Sequence, residues 1–193
     1  MKIIGVGCGP GLLSEQAIRE LKTARNVYGS ERAIELAQPY LPASCRVRSI
    51  DDFKSLSRLP QDSVILSTGD PMLAGLGYLP GEVIPGISSL QVATARLHIP
   101  LSRVSVVVAH GLGHEKGMTD TVDELKRGKI VFLLADPKFD VEELYSRIQR
   151  LSIPLRIAVC ENLGYPEEKI DVGPVASPPV ATADLYSLVV GNF

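Results

Sequence analysis

Three stretches of the chain combine residues that let a backbone approach a ligand with residues that can hydrogen-bond one. They are GVGCGPG at 5–11, STGDPMLAG at 67–75 and IPGISS at 84–89. Glycine carries no side chain, so a chain can turn sharply there and come close to a bound molecule. The first stretch invites comparison with a dinucleotide-binding G-x-G-x-x-G loop, but the spacing fails. Counted from Gly5 the third glycine falls on Pro10, and counted from Gly7 it falls on Leu12. Pro10 also lacks the N–H that a phosphate would take, and no P-loop Lys-Ser/Thr pair follows. This loop is therefore either a ligand contact of another kind or a tight turn. In the second stretch Asp70 can cap a helix starting at Pro71. Equally, Gly69 can admit a ligand whose polar end meets Asp70. In the third stretch one of Ser88 and Ser89 can cap a helix, which leaves the other for a ligand.

Other reactive residue types are present without a pattern that uses them. His110 and His114 are four apart, a metal-binding spacing only on a helix, and the glycines between them argue for a loop. No protein-bound metal is expected. Cys8, Cys45 and Cys160 form no C-x-x-C pair and are odd in number. They suggest neither a disulfide framework nor a zinc site, and a reducing, cytoplasmic location is expected. The acidic run from Glu161 to Asp171 reads as solvated surface around a turn.

The elements that must hold these loops alternate in the first half. Strands are expected at 2–6, 26–29, 63–67 and 83–84, with helices from Ser14 to about 23, from Ser30 to about 37, and from Ser88 or Ser89 to about 97. Each of the three loops follows the end of one of these strands. If the strands run parallel, all three line one rim, the edge where open α/β sheets collect ligands. A break with a central proline, HIPLSR, follows at 98–103. Beyond it come a strand at 104–109, a helix near 119–126, a strand at 130–135, a helix at 140–150 and a strand at 155–160. The helix at 140–150 carries Leu144, Ile148 and then Leu151 on one face. Segments 169–175 and 185–190 are separated by turn residues, with no room for crossover helices, so antiparallel pairing is expected. The fold class is α/β, with two small α/β domains at 1–103 and 104–193, the second with mixed or antiparallel C-terminal strands. Domains this small need a large mutual interface, or dimerisation, to bury enough surface.

Composition narrows the function classes. The chain is 45% apolar and 22% charged, which excludes disorder and supplies a core. A net charge of −2 provides no basic field, so no nucleic-acid partner is expected. No apolar run reaches the ~18–20 residues of a membrane span, and the first residues lack the long apolar stretch of a leader. No membrane role is expected.

Taken together and in order, the loops resemble the tetrapyrrole (corrin/porphyrin) methylase family. The residues that carry the resemblance are GVGCGPG at 5–11, GSER at 29–32, STGDPMLAGLG at 67–77 and VIPGISSLQVATARL at 83–97. In the second half IVFLLAD at 130–136 and VCENLGYPEEKI at 159–170 fit as well. Within the family the chain is most similar to the subgroup that methylates C5 of cobalt-precorrin-7 in anaerobic cobalamin synthesis. In that subgroup the first strand of the second domain is often followed by His-Gly-Arg. Here His110 and Gly111 match, and Leu112 replaces the arginine.

The resemblance implies S-adenosylmethionine (SAM) as methyl donor, folded into a cleft between the two domains, and a tetrapyrrole as acceptor. It implies cofactor contacts at Pro10, Gly69, Asp70, Leu73, Ser88 and Ser89, and at Leu134, Ala135, Asn162 and Leu163 of the second domain. Arg32 and His110 are substrate candidates, Arg32 as partner of a ring carboxylate. Arg96, Arg103 and Lys116 are weaker ones. For Arg32 the alternative is a solvated position in the first turn of a helix. No nucleophile or catalytic metal is implied, because donor and acceptor are both activated and the protein need only position them. A homodimer is implied, and so is functional pairing with a C15-methyltransferase/decarboxylase. Two other readings stand beside this one. The same fold could serve another acceptor: a different precorrin position, uroporphyrinogen or a diphthamide intermediate. Or the chain could be a non-catalytic nucleotide-binding module.

Overall fold

The computed structural model describes every residue except Asp51, His110, Gly111 and Leu112. It divides into two compact units, Met1–Ser89 and Leu90–Phe193. The stretch 98–103 lies in the second unit, where Leu101–Arg103 forms a single 3-10 turn leading directly into a strand.

The first unit is a five-stranded parallel sheet in the order β3-β2-β4-β1-β5. Its strands are β1 (Lys2–Gly5), β2 (Asn26–Gly29), β3 (Arg46–Ser49), β4 (Val64–Ser67) and β5 (Glu82–Ile84). Ile3, Ile4, Ile65 and Leu66 of the two central strands are buried, as continuous apolar runs in a sheet covered on both faces should be. Helices α1 (Glu15–Leu21) and α2 (Glu31–Ala37) are the crossovers. Ser14 and Ser30 cap them as the sequence implies, accepting from Ala17 N–H at 3.1 Å and Ala33 N–H at 3.3 Å. Strand β3 is not foreseen. It is an edge strand with three exposed residues around Val47, and it pairs in parallel with β2. Charged side chains on an open edge discourage pairing with another chain, and they also erase the apolar signature of a strand.

Helix α3 (Ser89–Arg96) leads into the second unit. Its sheet has the order β6-β7-β10-β8-β9, with β6 (Val104–Ala109), β7 (Ile130–Ala135), β8 (Arg156–Glu161), β9 (Lys169–Pro174) and β10 (Tyr186–Gly191). Strands β6 and β7 are parallel, and β7–β10, β10–β8 and β8–β9 are antiparallel, the last across a short connection. Helices α4 (His114–Lys126) and α5 (Val141–Gln149) cover one face. Their buried Met118, Leu125, Leu144 and Ile148 join Val131, Leu133, Ile157, Val159, Leu188 and Val190 in one core. Helix α4 starts five residues earlier than expected. Its first turn, with His114, Glu115 and Lys116, shows no apolar period, and Gly117 reads as a breaker. In the structure Gly117 is what lets the helix lie against β6, because a Cβ there would overlap Ala109 Cβ.

Candidate functional site

In the first unit β4, β1 and β5 are neighbours and end at one edge, so the loops that follow them meet. Val6 N–H donates to Ser67 O at 3.0 Å. Gly7 and Gly69 then exchange both backbone bonds, Gly7 N–H to Gly69 O at 3.2 Å and Gly69 N–H to Gly7 O at 2.8 Å. Cys8 N–H donates to Ile87 O at 2.9 Å, which brings in the third loop. This approach requires glycine. A Cβ on Gly5 would stand 2.5 Å from Gly86 N and 2.8 Å from Gly69 O, and a Cβ on Gly86 would overlap Gly69 O.

Asp70 joins the loops by side chain. Its Oδ1 accepts Met72 N–H at 2.8 Å and its Oδ2 accepts Gly86 N–H at 3.1 Å. No helix follows it, which corrects the reading of Asp70 as a helix cap. Residues 71–81 are turns, closed by Leu73 N–H to Asp70 O at 3.2 Å and Gly77 N–H to Pro71 O at 2.9 Å. Pro71 suits a first helical position, but Gly75, Gly77 and Pro80 are poor continuations. Gly75 is pressed against Ser67 Oγ, which accepts Leu76 N–H at 3.4 Å.

Gly69 differs from its neighbours. It adopts φ +70°, and, its chain neighbours aside, the one described atom within 4 Å of its Cβ position is Ser88 Cα, at 3.8 Å. Its glycine is needed for conformation, and the space beside it is free of other first-unit packing. Pro10 is exposed, Leu73 and Ser89 are half-buried, and Ser88 is buried. Arg32 is half-buried in the first turn of α2, behind β2 at the same edge of the sheet. All seven first-unit candidates thus fall along one rim.

The second unit has a comparable edge. Ala109 registers with Ala135 and Tyr186 with Glu161, so the ends of β6, β7 and β8 and the start of β10 lie together. Leu134 and Ala135 are the half-buried last residues of β7, and Asn162 and Leu163 are the first beyond β8. Asn162 takes φ +49°, a conformation asparagine tolerates, and its N–H donates to Leu185 O at 2.9 Å. His110 lies outside the described residues.

Carboxylates hold this edge, and sequence reading misses them. Glu161 is 2% exposed. It accepts the Thr182 N–H, the Ala183 N–H at 2.7 Å and the Thr182 hydroxyl at 3.0 Å. Burial opposes its charge, but these hydrogen bonds and the nearby Lys169 outweigh it and hold the carboxyl below its usual range. Glu168 accepts Gly164 N–H at 2.8 Å and Arg96 Nε–H at 2.6 Å. Its carboxyl is likewise lowered against the opposing effect of burial. The expectation of a solvated acidic surface fails at these two positions. The signal was the strand alternation of Ile157 and Val159, which puts Glu161 on the core side.

The three weaker substrate candidates each have a partner. Arg96 is the one held by Glu168, Arg103 donates to Asn192 O at 3.0 Å, and Lys116 pairs with Asp120. His114 is a helical residue bonded to Asp136 at 2.9 Å. Burial, and then Glu168, push the Cys160 thiol up to about 12. Among the described residues no group of three His, Cys, Asp or Glu could hold a metal ion, and no helix is long and apolar enough to cross a membrane.

Comparison with known proteins gives a consistent result. The model of the tetrapyrrole (corrin/porphyrin) methylases matches residues 2–179. A probable cobalt-precorrin-7 C(5)-methyltransferase from Methanocaldococcus jannaschii is 30% identical over 204 aligned positions, covering 96% of this chain and 94% of the relative. The crystal structure of a cobalamin-biosynthesis precorrin-6Y methylase from Archaeoglobus fulgidus superposes with TM-score 0.75 at 30% identity, over 99% of this chain and 96% of that one. A uroporphyrin-III C-methyl transferase from Thermus thermophilus, complexed with S-adenosyl homocysteine, shares the fold. Its TM-score is 0.71 at 21% identity, over 98% and 91% of the chains.

Proposed function

The chain belongs to the tetrapyrrole (corrin/porphyrin) methylase family, and from that premise we propose that it transfers a methyl group from SAM to C5 of cobalt-precorrin-7. The observation that carries the acceptor is the near full-length relative named for that reaction. The donor is supported by the Thermus protein of the same fold, whose structure holds S-adenosyl homocysteine.

The first-unit rim suits such a donor. The amides of Gly7, Cys8, Gly69 and Gly86 are all taken by protein acceptors, so these four are not offered to a nucleotide phosphate. That speaks against a nucleotide-binding module. The open side of Gly69 and the neighbouring Leu73, Ser88, Ser89 and Pro10 offer backbone, hydroxyl and apolar contacts, with Asp70 fixing the loops. Leu134, Ala135, Asn162 and Leu163 are proposed as further donor contacts. Arg32 and His110 are proposed as acceptor contacts.

A methyl sulfonium is an activated donor and an electron-rich ring carbon a competent nucleophile. Alignment of the two can supply ~7–11 kcal/mol of the barrier reduction. Cobalt belongs to the acceptor. The proposal includes a cytoplasmic homodimer that works beside a C15-methylating decarboxylase; sedimentation at varied concentration tests the dimer.

The deciding experiment incubates purified protein with SAM and cobalt-precorrin-7. Gain of one methyl on the corrinoid is expected, and gain on a different tetrapyrrole instead would overturn the acceptor. Gly69→Val should abolish S-adenosylhomocysteine binding in a folded protein. Unchanged affinity would remove that loop from the donor site.

A further inference from the structure

The family reading leaves one group unexplained, the pair His114–Asp136. Asp136 follows β7 directly, one residue beyond Ala135, at the edge where β6, β7 and β8 end. Its Oδ1 accepts Lys138 N–H at 2.9 Å, and its Oδ2 lies 2.9 Å from His114 Nε2. The imidazole is also fixed from the side, because the Phe139 ring meets it edge-on with centroids 5.5 Å apart. Carboxylate and imidazole are each only partly exposed, 21% and 26%. A carboxylate that receives Nε2–H sets the imidazole tautomer and leaves Nδ1 with its lone pair. This is the arrangement of an oriented general base.

Methylation of a ring carbon that bears hydrogen needs such a group. The ring π electrons form the new C–CH3 bond while the CH3–S bond breaks and sulfur keeps its electron pair. The carbon then holds both methyl and hydrogen, and the macrocycle carries positive charge. A base must take the proton so that the C–H electrons return to the conjugated system. Resting on the reading above, we propose that His114 is that base and that Asp136 is its positioning residue.

Among the described residues, several charged and titratable groups stand near the pair or on its elements. Tyr186 of β10 has its hydroxyl pKa raised by burial and by Asp136. Along α4, Glu115 is committed to Arg147 of α5, at 2.7 and 3.0 Å. Lys116 is committed to Asp120. Past β7, Lys138 meets Asp136 through its backbone N–H. A competing explanation is that the pair only secures the start of α4, which has no side-chain cap.

The test is His114→Gln in the full chain. Glutamine can still donate to Asp136 but cannot accept the proton. The base assignment expects kcat to fall ~10²-fold or more, with S-adenosylhomocysteine affinity unchanged. The acid limb of the kcat–pH profile should vanish, and imidazole should partly restore turnover to His114→Ala. Turnover of His114→Gln within about threefold of wild type overturns it. If His114→Gln does not fold, 15N-histidine spectra of the wild-type protein decide. An Nε2–H tautomer at His114 supports the assignment, and an Nδ1–H tautomer overturns it. Wild-type protein that never methylates cobalt-precorrin-7 sinks the acceptor reading, and this assignment with it. An active wild type with an equally active His114→Gln sinks the base alone.

Discussion

The two units hold their loops in different ways. In the first, the rim is fastened largely by backbone: Gly7 with Gly69, Cys8 with Ile87 and Val6 with Ser67, with the Asp70 side chain joining two of the loops. In the second, side-chain carboxylates do the fastening: Glu161 holds 182–183, Glu168 holds Gly164 and Arg96, and Asp136 holds His114. A backbone-fastened rim is sensitive to volume and indifferent to charge. A carboxylate-fastened edge is the reverse. The same kind of α/β edge can therefore be made rigid by two unrelated physical means, and each means has its own failure.

The contrast breaks most sharply at Gly5. Gly5→Val places carbon against Gly86 N and Gly69 O, which are backbone and cannot swing aside. A loss of about 4 kcal/mol or more is expected in urea unfolding, and a near-neutral result would mean the loops can part. Asp70→Ala removes acceptors for two amides and should cost about 2–3 kcal/mol, with weaker S-adenosylhomocysteine binding in titration calorimetry. A lower melting point with unchanged affinity would confine Asp70 to the turn. Glu161→Gln keeps the shape but turns an amide donor toward donors, and should cost about 1–2 kcal/mol.

Acid sharpens the comparison. Glu161 and Glu168 titrate lower folded than unfolded. Their stabilisation is present above the unfolded carboxylate value of about 4.3 and is lost as pH falls through the folded one. Melting points measured downward from pH 6 should drop less steeply in Glu161→Gln than in wild type. Parallel slopes would deny Glu161 the fastening role. The smallest effect is at Cys160, whose raised pKa keeps it a thiol. Native protein at pH 8 should leave Cys160 unlabelled by iodoacetamide, and labelling should follow unfolding.

Much of this was legible because local chemistry agreed with the tertiary result. The caps Ser14 and Ser30, the strand at 26–29 and the strand at 130–135 fall where side-chain type and apolar run put them. The meeting of three glycine loops followed from placing each after a parallel strand. What stayed hidden depended on contacts distant in the chain. Arg46–Ser49 is a strand only because β2 offers an edge. Gly117 sits inside a helix because Ala109 comes so close that no side chain fits there. Asp70 looks like a helix cap until Gly86 supplies its second hydrogen bond. Glu161 looks like a surface acid until residues 182–183 fold over it.

Glycine-rich loops are commonly thought of as soft, and the doubly bonded Gly7–Gly69 bridge makes this one an exception. Its amide protons sit in an isolated antiparallel bridge just past the ends of the parallel strands β1 and β4, so they should exchange with deuterium only when the two loops part. The rim would then already have its working shape before any ligand arrives.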